Sequence, residues 1–286
     1  MRLASFEYGG RSTYGLAADD RVREADKSFR QRYADLRDVI AAEVESELAC
    51  NVESEVHSFS DVRFLPVIPN ANKILCVGAN YRPHIEEMGR PVPDHPVVFI
   101  RFPDSLVGHG EPILRPKASE QFDFEGELAV IIGKRARYVS RDSALDHVAG
   151  YCCFMDGSIR DWQGHTPQFT AGKNFHRSGA MGPCMVSADE IPDPSLLKLT
   201  TRVNGELMQE GQVDELFFDI PRLIEYCSTF AELMPGDVLA TGTPGGVGAA
   251  RTPPLWLRPG DTVEVDISGI GVLRSPVRDE SSSIPA

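Results

Sequence analysis

The sequence predicts an α+β protein that is mainly β, with a sheet rolled or closed upon itself and a few short helices. From Ile74 onward, short apolar runs such as ILCVGAN and VVFIRF alternate with glycine- and proline-rich turns. Asn204-Gly205 lies between two strand-like arms, which is a strong hairpin signal. Because no repeat of solenoid length occurs, the chain is not predicted to be a repeat array.

Residues 1–66 differ from the remainder and predict a small N-terminal α/β domain, followed by a larger domain over residues 67–286. A hairpin is expected around Gly9-Gly10. A helical stretch is expected from about Phe29 to Leu48, where apolar residues recur at helical spacing: Leu36, Val39, Ile40 and Val44. The two prolines of segment 64–73 indicate a connection into the larger domain.

The later segments predict one longer helix among strands and turns. Asp219 is the expected N-cap of this helix, Pro221 lies in its first turn, and it runs to about Leu233. Residues 235–248 predict a turn, a strand and a glycine-rich loop, TGTPGGVG. This loop lacks the lysine and following Ser/Thr of a phosphate-binding loop, so nucleotide binding is not expected.

The composition indicates a globular protein of the cytoplasm. The 286 residues, 42% hydrophobic and 25% charged, are enough to bury a full core. A net charge of −13 argues against nucleic acid or an anionic membrane as a partner. No apolar run approaches the roughly 20 residues that cross a bilayer, and the N-terminus lacks the apolar core of a signal peptide. The cysteines lack the spacing of a disulfide framework or zinc site and are expected as buried thiols: Cys50, Cys76, Cys152, Cys153, Cys184 and Cys227.

The segment FDFEGELAVIIG, residues 122–133, has the apolar content of a buried strand but carries Asp123, Glu125 and Glu127 at two-residue spacing. On an extended chain this spacing places the three carboxylates on one face. Burying them unpaired would be costly, so either basic residues pair with them or a divalent cation neutralises them. Hard cations such as Mg²⁺, Mn²⁺ and Ca²⁺ prefer such oxygen ligands. Alternating acids on a solvent-facing strand remain the alternative.

A further carboxylate is available at Asp156, which follows an apolar run and precedes Gly157. A side chain at the end of a strand is well placed to point into a site. Asp161, in the same stretch, stands beside Arg160 and could simply be paired with it.

A second constellation is GANYRPHIEEMGR, residues 78–90. Pro83 can open a helical turn that places His84 and Glu87 on one face, at positions i and i+3. A carboxylate beside an imidazole raises its basicity and fixes its orientation, as a general base requires. The alternative is an exposed helix tip with a chance pair. In FTAGKNF, Lys173 lies in an otherwise apolar segment and either binds an anionic partner or is a solvated surface lysine.

Together, six ordered segments over roughly residues 70–275 resemble the fumarylacetoacetate hydrolase superfamily: GANYRPHIEEMG, FDFEGELAVIIGK, MDGSIRDWQ, FTAGKNF, AMGP and PGDVLATGTPGGVG. Each motif is weak alone, but their joint occurrence is specific. Residues 1–66 resemble the variable N-terminal domain of longer members. The resemblance implies a mixed β-roll catalytic domain over residues 67–286, a homodimer, and Mg²⁺ or Mn²⁺ as cofactor, with Ca²⁺ also possible.

The resemblance also implies roles for individual residues. The metal ligands of the family correspond to Glu125, Glu127 and Asp156 in this sequence, whereas Asp123 would support the strand. The remaining implied residues are the water-activating dyad His84 and Glu87 on a lid, Lys173 beside the metal, the substrate-contacting Gln163, and Thr243 near the bound acid.

Two positions depart from the family pattern. Met155 stands where members commonly have asparagine, and Arg101-Phe102 stands where they often have Lys-Pro. Arg101 could hold a substrate carboxylate in a bidentate contact that lysine cannot make. It could equally be structural.

The activity that the resemblance implies is metal-dependent hydrolysis of a C–C bond in an acylpyruvate or related 2,4-diketo acid, which yields pyruvate and a carboxylic acid. The same chemistry serves isomerisation of unsaturated 2-oxo diacids from aromatic catabolism and decarboxylation of oxaloacetate, which rank second and third. A metal-dependent binding protein without catalysis is the non-enzymatic alternative. The presence of His84, Glu87 and Lys173 argues against it, because a binding protein would need the chelating carboxylates but not the base.

Overall fold

Short strands, joined by short helices and tight turns, dominate the chain. The computed structural model describes residues 1–89 and 91–281. Within these residues the strands are β1 Arg2–Tyr8, β2 Arg11–Ala18, β3 Arg21–Glu24, β4 His57–Ser58, β5 Arg63–Phe64, β6 Ile74–Gly78, β7 Val97–Arg101, β8 Leu106–Val107, β9 Ile113–Arg115, β10 Phe122–Asp123, β11 Gly126–Ile132, β12 Val148–Met155, β13 Ser158–Ile159, β14 Gly179–Ser187, β15 Lys198–Val203, β16 Glu206–Gln212, β17 Val238–Ala240, β18 Thr262–Ile267 and β19 Gly271–Asp279. The α-helices are α1 Lys27–Arg32, α2 Leu36–Ala41, α3 Glu45–Leu48, α4 Arg82–Glu87, α5 Arg160–Gln163, α6 Thr170–Lys173 and α7 Ile220–Phe230.

The strands form one large mixed sheet and two smaller sheets. The large sheet has the order β4-β3-β2-β1-β14-β12-β11-β17-β6-β7, with β5 beside β1 and β8 beside β14. The second sheet has the order β16-β15-β18-β19-β9, and β10 pairs with β13 alone. Most pairs are antiparallel, whereas β17 runs parallel to β6. This mixed architecture confirms the predicted α+β, mainly β fold.

Strand β11 lies at the centre of the large sheet and is buried on both faces. Leu128 and Val130 on one face belong to a core that includes Val265 of the second sheet. Ala129 and Ile131 on the other face belong to a core that includes residues of α2. Burial on both sides explains why this strand reads as a continuous apolar run instead of an alternating one.

The N-terminal segment shares a sheet and a core with the rest of the chain. Strand β1 pairs with β14, with Leu3 opposite Met185. The core on the α2 face contains Leu3 and Phe29 together with Ile74. The domain boundary at residue 66 stays a prediction. The sheet and the apolar core of the structure both contain residues from either side of it.

The prediction of one helical stretch from Phe29 to Leu48 is wrong in its continuity, because α1, α2 and α3 are separate. Asp35 has extended backbone and caps α2 by accepting from the Asp38 amide. Glu43 then takes a positive φ of 55° between α2 and α3. The apolar residues of the predicted face are nevertheless buried in α2: Leu36, Val39 and Ile40.

Both predicted hairpins form, between β1 and β2 and between β15 and β16. Their central residues Gly9-Gly10 and Asn204-Gly205 all have positive φ, as hairpin turns of this kind require. Asp219 caps α7 as predicted, because its side chain accepts from the Arg222 amide at 2.9 Å. The helix ends at Phe230 and not near Leu233, because the Leu233 backbone pairs with Ala136.

Five of the six cysteines are buried and none forms a disulfide, but Cys50 is exposed, contrary to prediction. Cys50 follows α3 in a surface turn, and so lacks an apolar neighbourhood. Among the described residues, no helix is long and apolar enough to cross a membrane.

Candidate active site

Three of the predicted site acids come together where two paired strands bend at the same place. The predicted strand 122–133 divides into β10, which pairs with β13, and β11, which pairs with β12. Glu125 lies in the gap between β10 and β11, and Asp156 lies in the matching gap between β12 and β13. The Asp156 amide donates to the Glu125 carbonyl at 2.8 Å, which joins the two gaps. A Cβ on Gly157 would lie 1.9 Å from the Ser178 carbonyl oxygen, so this bend requires glycine.

The carboxylate oxygens of Glu125, Glu127 and Asp156 lie within 4.8 Å of one another, and all three residues are buried. Such spacing lets the three groups reach one cation, since oxygen ligands lie about 2.0 to 2.6 Å from Mg²⁺ or Ca²⁺. Asp123 is not part of this group. The bend separates it from Glu125, so the three acids of the predicted strand do not share one face.

Basic residues also lie against the acidic cluster. Lys173 Nζ donates to Asp156 Oδ2 at 2.6 Å and to Glu125 Oε2. Arg160 pairs with Glu125 through Nη2 at 2.7 Å and with Asp123 through Nε at 2.7 Å. Asp161, considered as a partner for Arg160, instead accepts from Ser119 Oγ at 2.6 Å.

Among the described residues, the charges of the cluster do not balance. Four buried carboxylates meet three cations: Asp123, Glu125, Glu127 and Asp156 against Arg101, Arg160 and Lys173. Burial alone would raise the pKa of Glu125, but Lys173 and Arg160 outweigh it and hold that pKa below its usual value. Burial, with Asp156 and Glu125, raises the pKa of Glu127 well above its usual value.

Glu127 is therefore the carboxyl group of the cluster that has no ion-pair partner among the described residues, and it accepts a hydrogen bond from the Gly242 amide at 2.9 Å. The uncompensated charge and the all-oxygen donor set fit a divalent cation. Glu125, Glu127 and Asp156 could hold such a cation.

The donor groups of Arg101 all contact protein atoms. Its five N–H groups donate to Ser105, Asp156, Gly157 and Ser178, and the Nη1 to Asp156 Oδ1 distance is 2.6 Å. The residue is only 2% exposed. The structure therefore does not support the predicted contact with a substrate carboxylate. It favours the structural alternative, in which Arg101 orients Asp156.

The His84–Glu87 pair forms as the helical spacing predicts. Pro83 lies in the first turn of α4, and His84 Nδ1 lies 2.8 Å from Glu87 Oε1. His84 is 8% exposed, so the pair is not an exposed helix tip. His84 lines the same cavity as Glu125 and Glu127. In this arrangement Glu87 contacts Nδ1 of the ring, and the ring lies beside the acidic cluster.

The glycine-rich loop has a role that the sequence reasoning missed. Its amides at Gly242 and Gly246 donate to Glu127 at 2.9 Å and to Glu87 at 2.7 Å. The loop thus orients one proposed metal ligand and the carboxylate that holds His84. A Cβ on Gly246 would lie 2.2 Å from the Met208 carbonyl oxygen. The sequence did contain a signal for this role. Free backbone amides bind carboxylates as well as phosphates, so a glycine run that lacks the lysine of a phosphate loop could have indicated carboxylate binding.

Gln163 and Thr243 both line the cavity, as do Lys173 and Arg160. Gln163 accepts from Arg160 Nη1 at 2.9 Å. Thr243 Oγ1 donates to the Gly126 carbonyl at 2.9 Å, so it is fixed against the start of β11.

Gln209 supports Thr243 and was also missed. It is 1% exposed, its Nε2 donates to Thr243 Oγ1 at 2.8 Å, and its Oε1 accepts from the Gly126 amide at 3.0 Å. Gln209 occupies an inward position of β16, and a polar residue at such a position was the available signal.

Helix α6, which carries Lys173, packs against α5 through a glycine contact. A Cβ on Gly172 would lie 2.3 Å from the Gln163 amide nitrogen and 2.5 Å from its Cα. Replacing Gly172 with alanine is therefore expected to push α6 from α5, destabilise the protein by about 1 to 3 kcal/mol and lower activity. Urea denaturation and a turnover assay measure both effects.

Gly164 provides the matched control. Its Cβ would lie no closer than 3.6 Å to another atom, so Gly164→Ala is expected to leave stability and activity near wild type. Equal tolerance of both substitutions would contradict the packing account.

The sequence pattern of the family described as "Fumarylacetoacetate (FAA) hydrolase C-terminal" matches residues 73–278, which include every residue of the site. The chain belongs to the fumarylacetoacetate hydrolase family. It is 43% identical over 228 residues to oxaloacetate tautomerase YisK of Bacillus subtilis (strain 168), covering 78% of this chain and 76% of the relative.

Two solved structures are similar to almost the whole chain. One is the fumarylacetoacetate hydrolase of Exiguobacterium antarcticum, with a TM-score of 0.84, 35% identity, and coverage of 98% of this chain and 100% of that chain. The other is the 2-hydroxyhepta-2,4-diene-1,7-dioate isomerase of Mycobacterium marinum, with a TM-score of 0.79, 30% identity, and coverage of 99% and 100%. Family membership supports enzymatic activity, and these relatives carry names of three different reactions.

Proposed function

We propose that this protein is a divalent-metal-dependent tautomerase that interconverts the keto and enol forms of oxaloacetate. The observation that carries the proposal is the His84–Glu87 pair, in which the buried His84 lines one cavity with Glu125 and Glu127 of the acidic cluster. This places a proton-transferring group beside a site for a carbonyl-polarising cation. Oxaloacetate as substrate is supported by the 43% identity to a relative named for its tautomerisation.

In the proposed reaction one proton leaves C3 of the substrate and one proton is added to the C2 oxygen. His84 Nε2 takes the proton from C3 and returns it to the oxygen, while Glu87 holds Nδ1 and stabilises the charged ring. A divalent cation bound by Glu125, Glu127 and Asp156, with Mg²⁺ or Mn²⁺ as the proposed metals, supplies Lewis-acid polarisation of the 2-oxo group.

Lys173 is proposed to act as a fixed positive charge and not as a base. Burial alone would lower the pKa of its ammonium group, but Asp156 and Glu125 outweigh burial and raise that pKa. The side chain therefore stays charged at neutral pH and favours the negative charge that develops on the substrate oxygen.

Hydrolysis of an acylpyruvate, which the sequence ranks first, is the second candidate. It is favoured by the structural similarity to a protein named fumarylacetoacetate hydrolase, with 35% identity over nearly the whole chain. The same His84–Glu87 pair would then take a proton from water, which attacks the distal keto group.

One assay distinguishes these candidates. The purified full chain, freed of metal with EDTA and reloaded with Mg²⁺ or Mn²⁺, is mixed with enol oxaloacetate, acylpyruvates and unsaturated 2-oxo diacids. Metal-dependent loss of enol absorbance without pyruvate release supports the proposal. Pyruvate release from an acylpyruvate, with oxaloacetate unchanged, would replace it with the hydrolase, and pyruvate release from oxaloacetate alone would indicate decarboxylation.

The Glu87 carboxylate is expected to matter for turnover. Glu87→Gln keeps the shape but removes the charge that stabilises protonated His84, so kcat is expected to fall by at least about 10-fold. Glu86 is exposed on the same helix, and Glu86→Gln is the matched control, with wild-type kcat expected. Equal kcat values for the two variants would show that Glu87 does not assist His84.

A further inference from the structure

Asp123 is completely buried beside the proposed metal site but is not part of its acidic cluster. Each of its oxygens accepts two hydrogen bonds. Oδ1 accepts from the amides of Phe124 and Gly248, both at 2.8 Å. Oδ2 accepts from the Ala249 amide at 3.0 Å and from Arg160 Nε at 2.7 Å. This carboxylate therefore has no lone pair directed at the cavity and joins three segments that are distant in sequence.

Arg160 is divided between two carboxylates. Its Nε binds Asp123, whereas its Nη2 lies 2.7 Å from Glu125 Oε1. A guanidinium that is shared in this way neutralises Glu125 only in part. Glu125 is also a proposed metal ligand, so Arg160 and the cation compete for the same carboxylate.

The approach of the glycine-rich loop to Asp123 is also specific to this arrangement. A Cβ on Gly248 would lie 2.6 Å from Asp123 Oδ1 and 2.0 Å from the Leu255 carbonyl oxygen. Only glycine permits this approach, so the Asp123 carboxylate and the end of the loop are fixed together.

We propose that Asp123 is a positioning residue that sets the affinity of the site for its divalent cation by sharing the Arg160 guanidinium with Glu125. The inference rests on the proposed function in assuming that Glu125 is a metal ligand. It assigns to Asp123 a role in metal binding that passes through Arg160 and not through direct ligation.

The first test is the substitution Asp123→Asn. Asparagine has nearly the same shape, but it has no negative charge to hold Arg160, which is then free to pair with Glu125 alone. Isothermal titration of the metal-free full chain with Mn²⁺ is expected to show a Kd at least about 10-fold higher than that of wild type. At saturating Mn²⁺, kcat is expected to recover to within about 3-fold of wild type, because the proton-transferring pair is intact.

Asp161→Asn is the matched control. Asp161 lies in α5 next to Arg160 but contacts Ser119 and the Trp162 amide, so the wild-type Kd for Mn²⁺ is expected. A raised Kd in this variant would mean that removing any acid nearby weakens binding by its charge alone, which would overturn the positioning role.

A double-mutant cycle with Arg160→Met tests whether Asp123 acts through Arg160. In the Arg160→Met background, adding Asp123→Asn is expected to change the Mn²⁺ Kd by less than about 3-fold. A change of about 10-fold or more in that background would contradict the proposal. This comparison also serves if Asp123→Asn alone does not fold, since removing both members of a buried ion pair is tolerated better than removing one.

The Mn²⁺ titration distinguishes a failure of the proposed function from a failure of the role proposed for Asp123. If the wild-type chain does not bind Mn²⁺, the proposed function fails. If the wild type binds Mn²⁺ and Asp123→Asn binds it equally well, only the role of Asp123 is contradicted.

Discussion

Replacing His84 with alanine is expected to lower kcat for oxaloacetate tautomerisation by about 10²- to 10⁴-fold, which is the usual contribution of a positioned general base. His84 is the imidazole held by Glu87 beside the acidic cluster, and it contributes no ligand to the proposed metal site. Mn²⁺ affinity is therefore expected to stay within about 3-fold of wild type. Steady-state kinetics and isothermal titration measure the two quantities.

His95→Ala is the matched control for His84→Ala. His95 is exposed, stacks on Tyr226 and does not line the cavity of the described site, so wild-type kinetics are expected. Added imidazole is expected to restore part of the lost activity of His84→Ala, which a general loss of structure would not allow. Turnover that survives His84→Ala would show that another group moves the proton.

The second large effect concerns Glu125 and Glu127, for which the structure predicts opposite changes in stability. Both substitutions, Glu125→Gln and Glu127→Gln, remove a proposed metal ligand, so each is expected to weaken Mn²⁺ binding by more than the 10- to 100-fold typical of residues that only orient ligands. The metal-free proteins are expected to differ in the direction of the change in unfolding free energy.

Glu125→Gln is expected to destabilise the metal-free protein by about 1 to 3 kcal/mol, because Lys173 and Arg160 each lose a buried carboxylate partner. The pKa of Glu125 is lowered in the folded state, so its stabilisation is present above its ordinary pKa of 4.5 and is lost as pH falls below that value.

Glu127→Gln is expected to stabilise the metal-free protein by about 1 kcal/mol or more at neutral pH, because it removes a buried carboxyl group that has no cationic partner among the described residues. The pKa of Glu127 is raised in the folded state above the ordinary glutamate value of 4.5. The stability of the wild-type protein therefore falls as pH rises above 4.5. Glutamine does not ionise, so the variant does not lose stability in this way. The difference between variant and wild type is therefore expected to be small at pH 4 and to grow toward neutral pH.

Thermal unfolding in EDTA at several pH values measures both variants. Destabilisation of equal size by both substitutions would contradict the unequal charge pairing that supports a cation at this site. If Glu127→Gln stabilises the protein and abolishes Mn²⁺ binding, the result would be an example of the usual trade-off between stability and function at active sites.

Much of the fold was predictable because its signals are local. Paired positive-φ residues such as Asn204-Gly205 specify a hairpin turn, and Asp219 specifies a helix start, without reference to the rest of the chain. The break of the predicted helix at Asp35 and Glu43 was not recognised, because the apolar periodicity continues through the backbone changes.

The acids of the site were predictable as residues, but the geometry that gathers them was not. The bend at Glu125 and Asp156 depends on which strands pair and on the approach of Gly157 to Ser178, and both are long-range facts. Arg101 illustrates the same limit, because its charge was visible in the sequence while its partners were not.

The amides of Gly242 and Gly246 illustrate a different limit. A backbone N–H is present at almost every position, so residue identity does not reveal which amides will bind a carboxylate. The polar residue Gln209 on a hairpin arm was a signal of similarly limited value, because its burial becomes evident only from the contacts of its side chain with Gly126 and Thr243, which are distant in sequence.

In the proposed reaction, a divalent cation and His84 act together on a 2-oxo acid. The most direct measurement is the rate of oxaloacetate tautomerisation by the EDTA-treated full chain as Mn²⁺ is added back, beside the Mn²⁺ Kd from isothermal titration. We expect almost no activity without metal and a rate that saturates with the same Kd. A rate that is unaffected by EDTA, or stoichiometric Mn²⁺ binding without any gain in rate, would contradict it.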